Sequence, residues 1–188
     1  MFERAKEIFI RITGQDGPRR QAHELYVQIA EAARRPAFYE VMGAPDTVEG
    51  RYDLLSLHVI LVLRRLKAER ERTAKFAQLV FDVMFRDVDD SLREMGVGDL
   101  RVGKKVRGYA EAFFGRAMAY EKALNGEDNL GDALARNIYG SDDASVASGL
   151  ATYVSAADRS LAEQNIDEIL SGRVRFPDAG TDDQESAA

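Results

Sequence analysis

The sequence contains no cysteine and no tryptophan, and only two of its 188 residues are histidines. The missing cysteine excludes disulfide frameworks, thiol nucleophiles and cysteine-rich zinc sites, and it fits a reducing compartment. Glycine-rich phosphate loops, HExxH zinc motifs and nucleophile elbows do not occur. The Glu-x-x-His spacing of metal sites in helical bundles is missing as well. We therefore expect neither an enzyme nor a metal or cofactor site.

Long apolar runs and net positive charge are also missing. The longest apolar stretch, Leu54–Leu63, is about half the length that a bilayer-spanning helix needs. The N-terminus, MFERAKEIFIRIT, is amphipathic and lacks the apolar core of a secretory signal. The formal net charge of −6 argues against a dedicated nucleic-acid binder, although it leaves room for a local basic patch. We expect a soluble protein with no nucleic acid as a direct ligand.

Helical periodicity dominates the remainder of the sequence, and the length suits one domain with a single core. We predict an all-α fold, a single compact bundle of about seven helices over residues 1–172, followed by a flexible acidic tail over residues 173–188. The Gly- and Pro-containing segment 15–20 predicts a turn. The seven main predicted helices are one ending at Gly14, one from Pro18 to about Arg34, and others over about Arg51–Ala68, Ala74–Met95, Leu100–Leu124, Leu130–Tyr139 and Ala144–Glu163. Two short helical segments, Ala37–Met42 and Ile166–Leu170, are added to them.

The helix over about Arg51–Ala68 is apolar around nearly its whole circumference, which predicts a central, buried position. His58 lies within it, and two interpretations stay open. The residue is either a haem ligand or a core histidine with one hydrogen bond. The second is the commoner role of a histidine among apolar neighbours.

The loop Gly43–Asp53 carries residues that shape a helix start. Asp46 and Thr47 can cap a helix, Gly50 relieves steric crowding, and Arg51 can pair with Asp46 or Asp53. The segment is either a structural corner that sets the angle of the central helix or a recognition surface made of backbone and charge.

The segment Gly96–Arg107 is unusual because it concentrates cations at the beginning of a predicted helix, which Asp99 would cap. The helix dipole disfavours cations there, at a cost under about 1 kcal/mol. The segment is either a solvated charged face or a site for an anionic partner segment, a phosphate or lipid headgroups. Its four cations are Arg101, Lys104, Lys105 and Arg107.

Two stretches in the middle of the chain resemble the ubiquinol–cytochrome c chaperone family. They read RRPAFYEVMGAPDTVEGRYDLLSLHVILVLRRL and LVFDVMFRDVDDSLREMGVGDLRVGKKVRGYAEAFFGRAMAYEKAL, and together they cover about Arg35–Leu124. Ala44, Tyr52 and Val88 are conservative departures from the family pattern. The matching residues are Phe38-Tyr39, Pro45-Asp46-Thr47, Gly50-Arg51, Asp53, His58, Phe81-Asp82, Met84-Phe85, Arg93-Glu94, Gly96–Asp99 and Gly103–Lys105.

The resemblance implies an assembly factor of the cytochrome bc1 complex that binds newly made cytochrome b, without a cofactor. It also implies a bacterial form at the cytoplasmic face of the inner membrane, near the ribosome, and the basic segment Gly96–Arg107 adds contact with an anionic membrane surface. The alternative is a haem- or anionic-lipid-binding helical protein at the membrane surface. Joining the resemblance with the two unusual segments, we expect these client contacts: Phe38, Tyr39, Asp46, Arg51, Phe85, Arg101, Lys104, Lys105 and Arg107.

Overall fold

The structure is a computed structural model that describes the backbone of residues 2–180 and the side chains of residues 17–180. Within those residues all regular secondary structure is helical and no strand occurs, which confirms the all-α prediction. A π-helical turn, Ala135–Tyr139, and a 3₁₀ turn, Ala144–Ala147, lie between the later helices. The α-helices are α1 (Phe2–Ala33), α2 (Ala37–Glu40), α3 (Val48–Lys67), α4 (Arg70–Glu94), α5 (Asp99–Leu124), α6 (Leu130–Leu134), α7 (Ser148–Glu163) and α8 (Ile166–Leu170).

Helix α3 forms the centre of the fold, as its apolar circumference predicts. It packs against α1, α4, α5 and α7, and every residue from Ser56 to Val62 is buried. At its end, Arg64, Arg65 and Lys67 complement the negative end of the helix dipole. None of the helices within the described residues is long and apolar enough to cross a membrane.

Helix α1 corrects the prediction of a turn over residues 15–20. It runs continuously from Phe2 to Ala33 with Pro18 inside it, so the predicted pair of helices is one helix. An internal proline removes one backbone hydrogen bond and commonly kinks a helix, but it does not by itself end one. The buried residues Ala22, Leu25 and Ile29 lie on the part of α1 whose side chains are described.

The two long helices α4 and α5 begin differently from the prediction. Thr73 does not cap α4. It lies inside the helix, and its buried hydroxyl lies 2.5 Å from the Leu66 carbonyl oxygen, close enough to donate to it. Gly98, rather than Asp99, occupies the N-cap position of α5, and the Asp99 carboxylate instead accepts a hydrogen bond from Arg93.

Residues 173–180 pack against the helices, although the predicted tail begins at residue 173. Val174 is buried, and its backbone N–H donates to the Gln28 side chain at 3.1 Å. Arg35 donates to the Pro177 carbonyl oxygen at 2.5 Å, and Phe176 meets the ring of His58 edge-on. The packed structure therefore extends past residue 172. The remainder of the predicted tail, residues 181–188, lies outside the described residues.

Candidate functional site

The loop before α3 is fixed by three local contacts. The Thr47 hydroxyl oxygen caps α3 by accepting from the Gly50 N–H at 3.0 Å. Gly50 lies so close to the Pro45 carbonyl that a β-carbon there would come within 2.0 Å of the oxygen. The Asp46 carboxylate accepts from Nε of Arg51 at 2.6 Å. The glycine is therefore needed for close approach of the backbone.

The pairing of Arg51 decides between the two partners that the sequence left open. Arg51 pairs with Asp46, and its guanidinium lies 5.9 Å from the centre of the Tyr39 ring, within the range of a cation–π contact. The pair lowers the pKa of Asp46, mainly through the hydrogen bond from Arg51. Burial raises the pKa of Tyr39. Asp53 pairs instead with Arg116 on α5, at 2.7 Å.

A groove opens beside this loop, where α1, α3, α4 and α5 meet. Its volume is about 430 Å³, within the range of small-molecule and side-chain binding clefts. The walls are mostly apolar or aromatic, and Arg34 and Arg51 supply cations to the lining. Asp87 also lines it, but its carboxylate already accepts from the Tyr26 hydroxyl at 2.5 Å. The lining residues are Ala30, Ala33, Arg34, Val48, Arg51, Tyr52, Leu55, Asp87, Val88, Ser91, Leu92, Met95 and Tyr109.

Of the predicted contacts, Arg51 lines the groove, and Tyr39 and Asp46 touch Arg51. The structure corrects the prediction that Phe38 contacts a client. Its side chain is completely buried and packs against His58 and Tyr153, so it offers no surface to a partner. A four-residue helix gives no periodicity from which its buried face can be read, which is why the sequence did not separate Phe38 from Tyr39.

Phe85 belongs to a cluster of four phenylalanines between α4 and α5, away from the groove lining. Its ring centre lies 4.5 Å from Phe81 and 5.9 Å from Phe113. The fourth member, Phe114, stacks on Phe81 and is 57% exposed. Phe85 itself is half-buried. The cluster joins the two helices and leaves one ring open to solvent.

The four cations of Gly96–Arg107 are all exposed on the first turns of α5. None of them lines the groove, although Tyr109, two residues beyond Arg107, does. Apart from Phe38 and Phe85, the predicted contacts therefore fall on two surfaces. One is the groove with Arg51, and the other is the outer face of the α5 start.

His58 is a core residue whose two ring nitrogens both have partners. Nδ1 lies 2.7 Å from the Leu54 carbonyl oxygen and Nε2 lies 2.9 Å from the Tyr153 hydroxyl. Burial lowers the pKa of His58 to about 4. With both nitrogens engaged, the haem-ligand interpretation has no support from this geometry. Across residues 17–180, no cluster of three or more histidine, aspartate or glutamate side chains is placed to hold a metal ion.

Comparison with known proteins decides the family. The sequence model of the family described as ubiquinol–cytochrome C chaperone matches residues 40–176. The chain belongs to this chaperone family. The assignment confirms the resemblance drawn from Arg35–Leu124 and extends it through α6, α7 and α8.

Several relatives of this chaperone family member share its fold or sequence. A crystal structure of the Cbp3 homologue from Brucella abortus superposes with a TM-score of 0.80 and 35% identity, covering 93% of this chain and 97% of that one. Ubiquinol–cytochrome c reductase complex assembly factor 1 from Xenopus laevis is 26% identical over 62% of this chain and 59% of its own length. The Mus musculus protein of that name is 26% identical over 82% of this chain and 54% of its own. The chain thus spans little more than half the length of these curated relatives.

Sequence reasoning missed several groove residues of this chaperone family member. Arg34, immediately after α1, and Tyr109, on α5, lie far apart in the sequence and meet only in the folded chain. The sequence could have indicated Val48 and Met95 as groove residues, because each is a large apolar residue near the end of a predicted helix. Both are about half exposed, at 50% and 52%. Such residues at the mouth of a groove are available to a partner.

Proposed function

We propose that this chain is a non-enzymatic assembly factor that binds newly made cytochrome b and supports assembly of the ubiquinol–cytochrome c reductase (bc1) complex. We place it at the cytoplasmic face of the inner membrane, near the ribosome. Family membership supports the role, and the relatives named as assembly factors of ubiquinol–cytochrome c reductase support the choice of complex. Their names describe assembly rather than catalysis.

The single observation that supports a client contact is the groove between α1, α3, α4 and α5. An unassembled polytopic membrane protein presents apolar helices joined by charged loops. The groove offers apolar walls of matching character, including Leu55, Val88 and Leu92, with Arg34 and Arg51 in its lining. A segment that places apolar side chains against these walls and a carboxylate near the arginines is the occupant that the groove fits best.

Arg34 is the cation best suited to engage such a carboxylate. Within the described residues, Arg51 forms an ion pair with Asp46, whereas Arg34 forms no ion pair. Arg51 is held in place by Asp46 and Tyr39, so it presents a positioned guanidinium rather than a mobile one. Arginine suits carboxylate recognition because its planar fork can donate two parallel hydrogen bonds.

Site-specific photocrosslinking in cells tests the contact. A photoreactive amino acid is placed at Tyr39, Arg51 or Met95 around the groove, and at Lys122 or Arg159 as exposed controls on α5 and α7. We expect adducts with cytochrome b from the groove positions and not from the controls. Adducts that form only at the control positions would reject the groove as the client site.

Deletion of the gene tests the wider role. We expect the spectrum of the bc1 b-type haems to be lost while other b-type cytochromes keep theirs. Re-expression of the wild-type chain should restore the signal. An unchanged spectrum in the deletion strain would contradict the assembly role itself, independently of where the client binds.

A further inference from the structure

The corner between α4 and α5 exposes apolar side chains that the fold does not use. Leu100 is 100% exposed on the first turn of α5, and Met95, at the end of α4, is 52% exposed. Between them, Gly96-Val97-Gly98 forms the connection. A completely exposed leucine contributes no packing to the core, so the Leu100 side chain is available for a contact outside the chain.

Cations surround this apolar corner. Arg101, Lys104, Lys105 and Arg107 are exposed, and none of them takes part in an ion pair within the described residues. Asp99, the one acidic residue of the segment, is engaged by Arg93. The corner therefore carries a local excess of positive charge on a chain whose formal net charge is −6.

The helical geometry places apolar and basic groups on one outward face. Leu100, Lys104 and Arg107 are spaced by four and then three residues, so they lie along the same side of α5. Val102, which points the other way, is buried. Long basic side chains can lie along an apolar surface while their charged ends reach polar groups. The arrangement has an apolar centre and a basic border.

We infer that this corner docks the protein on the surface of an anionic lipid bilayer. Leu100 and Met95 enter the boundary between headgroups and acyl chains, and the four cations contact the phosphate groups around them. Apolar side chains combined with lysine and arginine are what interfacial binding to anionic lipid requires. An acidic polypeptide would satisfy the cations, but it would leave a fully protruding leucine without an apolar environment.

The location of the corner connects docking with the groove. Met95 belongs to the corner and also lines the groove, so a corner seated on a bilayer would bring the groove to the membrane surface. A membrane-inserted polypeptide would then reach it without leaving the bilayer. Docking on the bilayer needs no client, so it can be tested separately from the proposed binding of cytochrome b.

The absence of tryptophan permits a direct test with a single reporter. The full chain carrying Leu100→Trp is mixed with vesicles of phosphatidylcholine, alone or with phosphatidylglycerol. We expect a blue shift of tryptophan emission only with the anionic vesicles. Met118→Trp is the matched control, because Met118 is 65% exposed on the same face of α5, about 27 Å further along at 1.5 Å per residue. No shift at Leu100→Trp, or an equal shift at Met118→Trp, would overturn docking through the corner.

Vesicle flotation tests the cations. Lys104→Gln combined with Lys105→Gln should weaken binding roughly 25-fold, on the basis of about fivefold for each cation near an anionic surface. Arg70→Gln combined with Lys75→Gln, two exposed cations at the opposite end of α4, should leave binding unchanged. High salt should weaken wild-type binding through screening. Equal weakening by both double variants, or binding that survives Leu100→Ser unchanged, would overturn the proposal.

Discussion

The hydroxyl of Tyr153 lies 2.9 Å from Nε2 of His58 and joins α7 to the centre of the fold. The other ring nitrogen, Nδ1, faces the Leu54 carbonyl oxygen at 2.7 Å. Because a carbonyl oxygen can only accept, Nδ1 carries the proton and Nε2 accepts from Tyr153. The ring is therefore neutral, fully buried and satisfied at both nitrogens, which is the arrangement of a structural histidine.

Tyr153→Phe tests the importance of this bond. The substitution keeps the ring but removes the hydroxyl, so Nε2 of His58 becomes a buried acceptor without a donor. We expect the free energy of unfolding to fall by about 1–3 kcal/mol, measured by urea denaturation. Tyr39→Phe is the control, because its hydroxyl makes a longer bond, 3.2 Å to the Ala33 carbonyl, at a half-buried site. Equal losses in both variants would contradict the special role of the His58 contact.

The burial of His58 makes stability depend on pH. Its pKa is lowered from 6.5 to about 4, chiefly by burial, with Arg35 nearby adding to the effect. Between these values the unfolded chain binds a proton that the folded chain does not. The contribution of His58 to stability is therefore complete above about pH 6.5 and is lost as the pH falls toward 4, by about 3 kcal/mol in total. The variant His58→Gln should lose this dependence.

Asp53 also makes stability depend on pH, but with the opposite sign. Burial raises its pKa from 3.8 to about 6, against the favourable effect of Arg116 and with Glu49 adding to the rise. The folded chain then binds a proton that the unfolded chain does not, so this contribution to stability is lost as the pH rises through 6. Asp53→Asn should consequently be better tolerated near pH 8 than near pH 4.5.

The two opposing titrations should partly cancel in the wild-type chain. Urea denaturation from about pH 4.5 to about pH 7.5 measures the slope of stability for each variant. Relative to wild type, Asp53→Asn should make stability rise more steeply with pH, and His58→Gln should make it rise less steeply or fall. Slopes that change in the same direction for both variants would contradict the opposite signs.

The sequence predicted elements whose signal is local and failed where the decisive contact is distant. The apolar circumference of α3 indicated its central position, because a helix that is buried on every side needs apolar residues on every side. The sequence offered Asp46 and Thr47 as caps of α3, and Thr47 occupies the N-cap position, although α3 begins at Val48 rather than at about Arg51. The continuity of α1 through Pro18 was not recognisable, because glycine and proline beside charged residues are equally typical of a turn.

The candidate site was predictable only in part for the same reason. The sequence indicated Arg51 and offered Asp46 and Asp53 as its partners, and the structure pairs it with Asp46. It did not indicate Arg34 or Tyr109, which reach the groove from distant parts of the chain. It also could not assign the exposed face of α2, where Phe38 is buried and Tyr39 is only half-buried. Such assignments depend on tertiary packing rather than on local pattern.

Arg51→Ala separates recognition from stability at the groove. The side chain and its partner Asp46 are both exposed, so screening by water leaves their pair little part in stability. We expect an almost unchanged urea midpoint but a several-fold lower yield of crosslinks to cytochrome b from position 39. Lys67→Ala is the matched control, since it breaks the exposed pair with Glu121 at the other end of α3. A similar loss of crosslinking with Lys67→Ala would indicate a general effect of surface charge.

Gly50 and Gly115 should respond with opposite signs to the same substitution. In Gly50→Ala, the new β-carbon would lie 2.0 Å from the Pro45 carbonyl oxygen, so the loop or the start of α3 must move. We expect the free energy of unfolding to fall by about 2 kcal/mol or more, together with weaker client crosslinking, because Asp46 and Arg51 lie on the two sides of the displaced contact.

In Gly115→Ala, nothing lies within 4 Å of the new β-carbon. Because Gly115 is exposed in the middle of α5, alanine should stabilise the helix by about 0.5–1 kcal/mol. Urea denaturation of the two variants side by side measures both effects, and stabilisation by Gly50→Ala would show that the backbone contact with Pro45 does not constrain the loop.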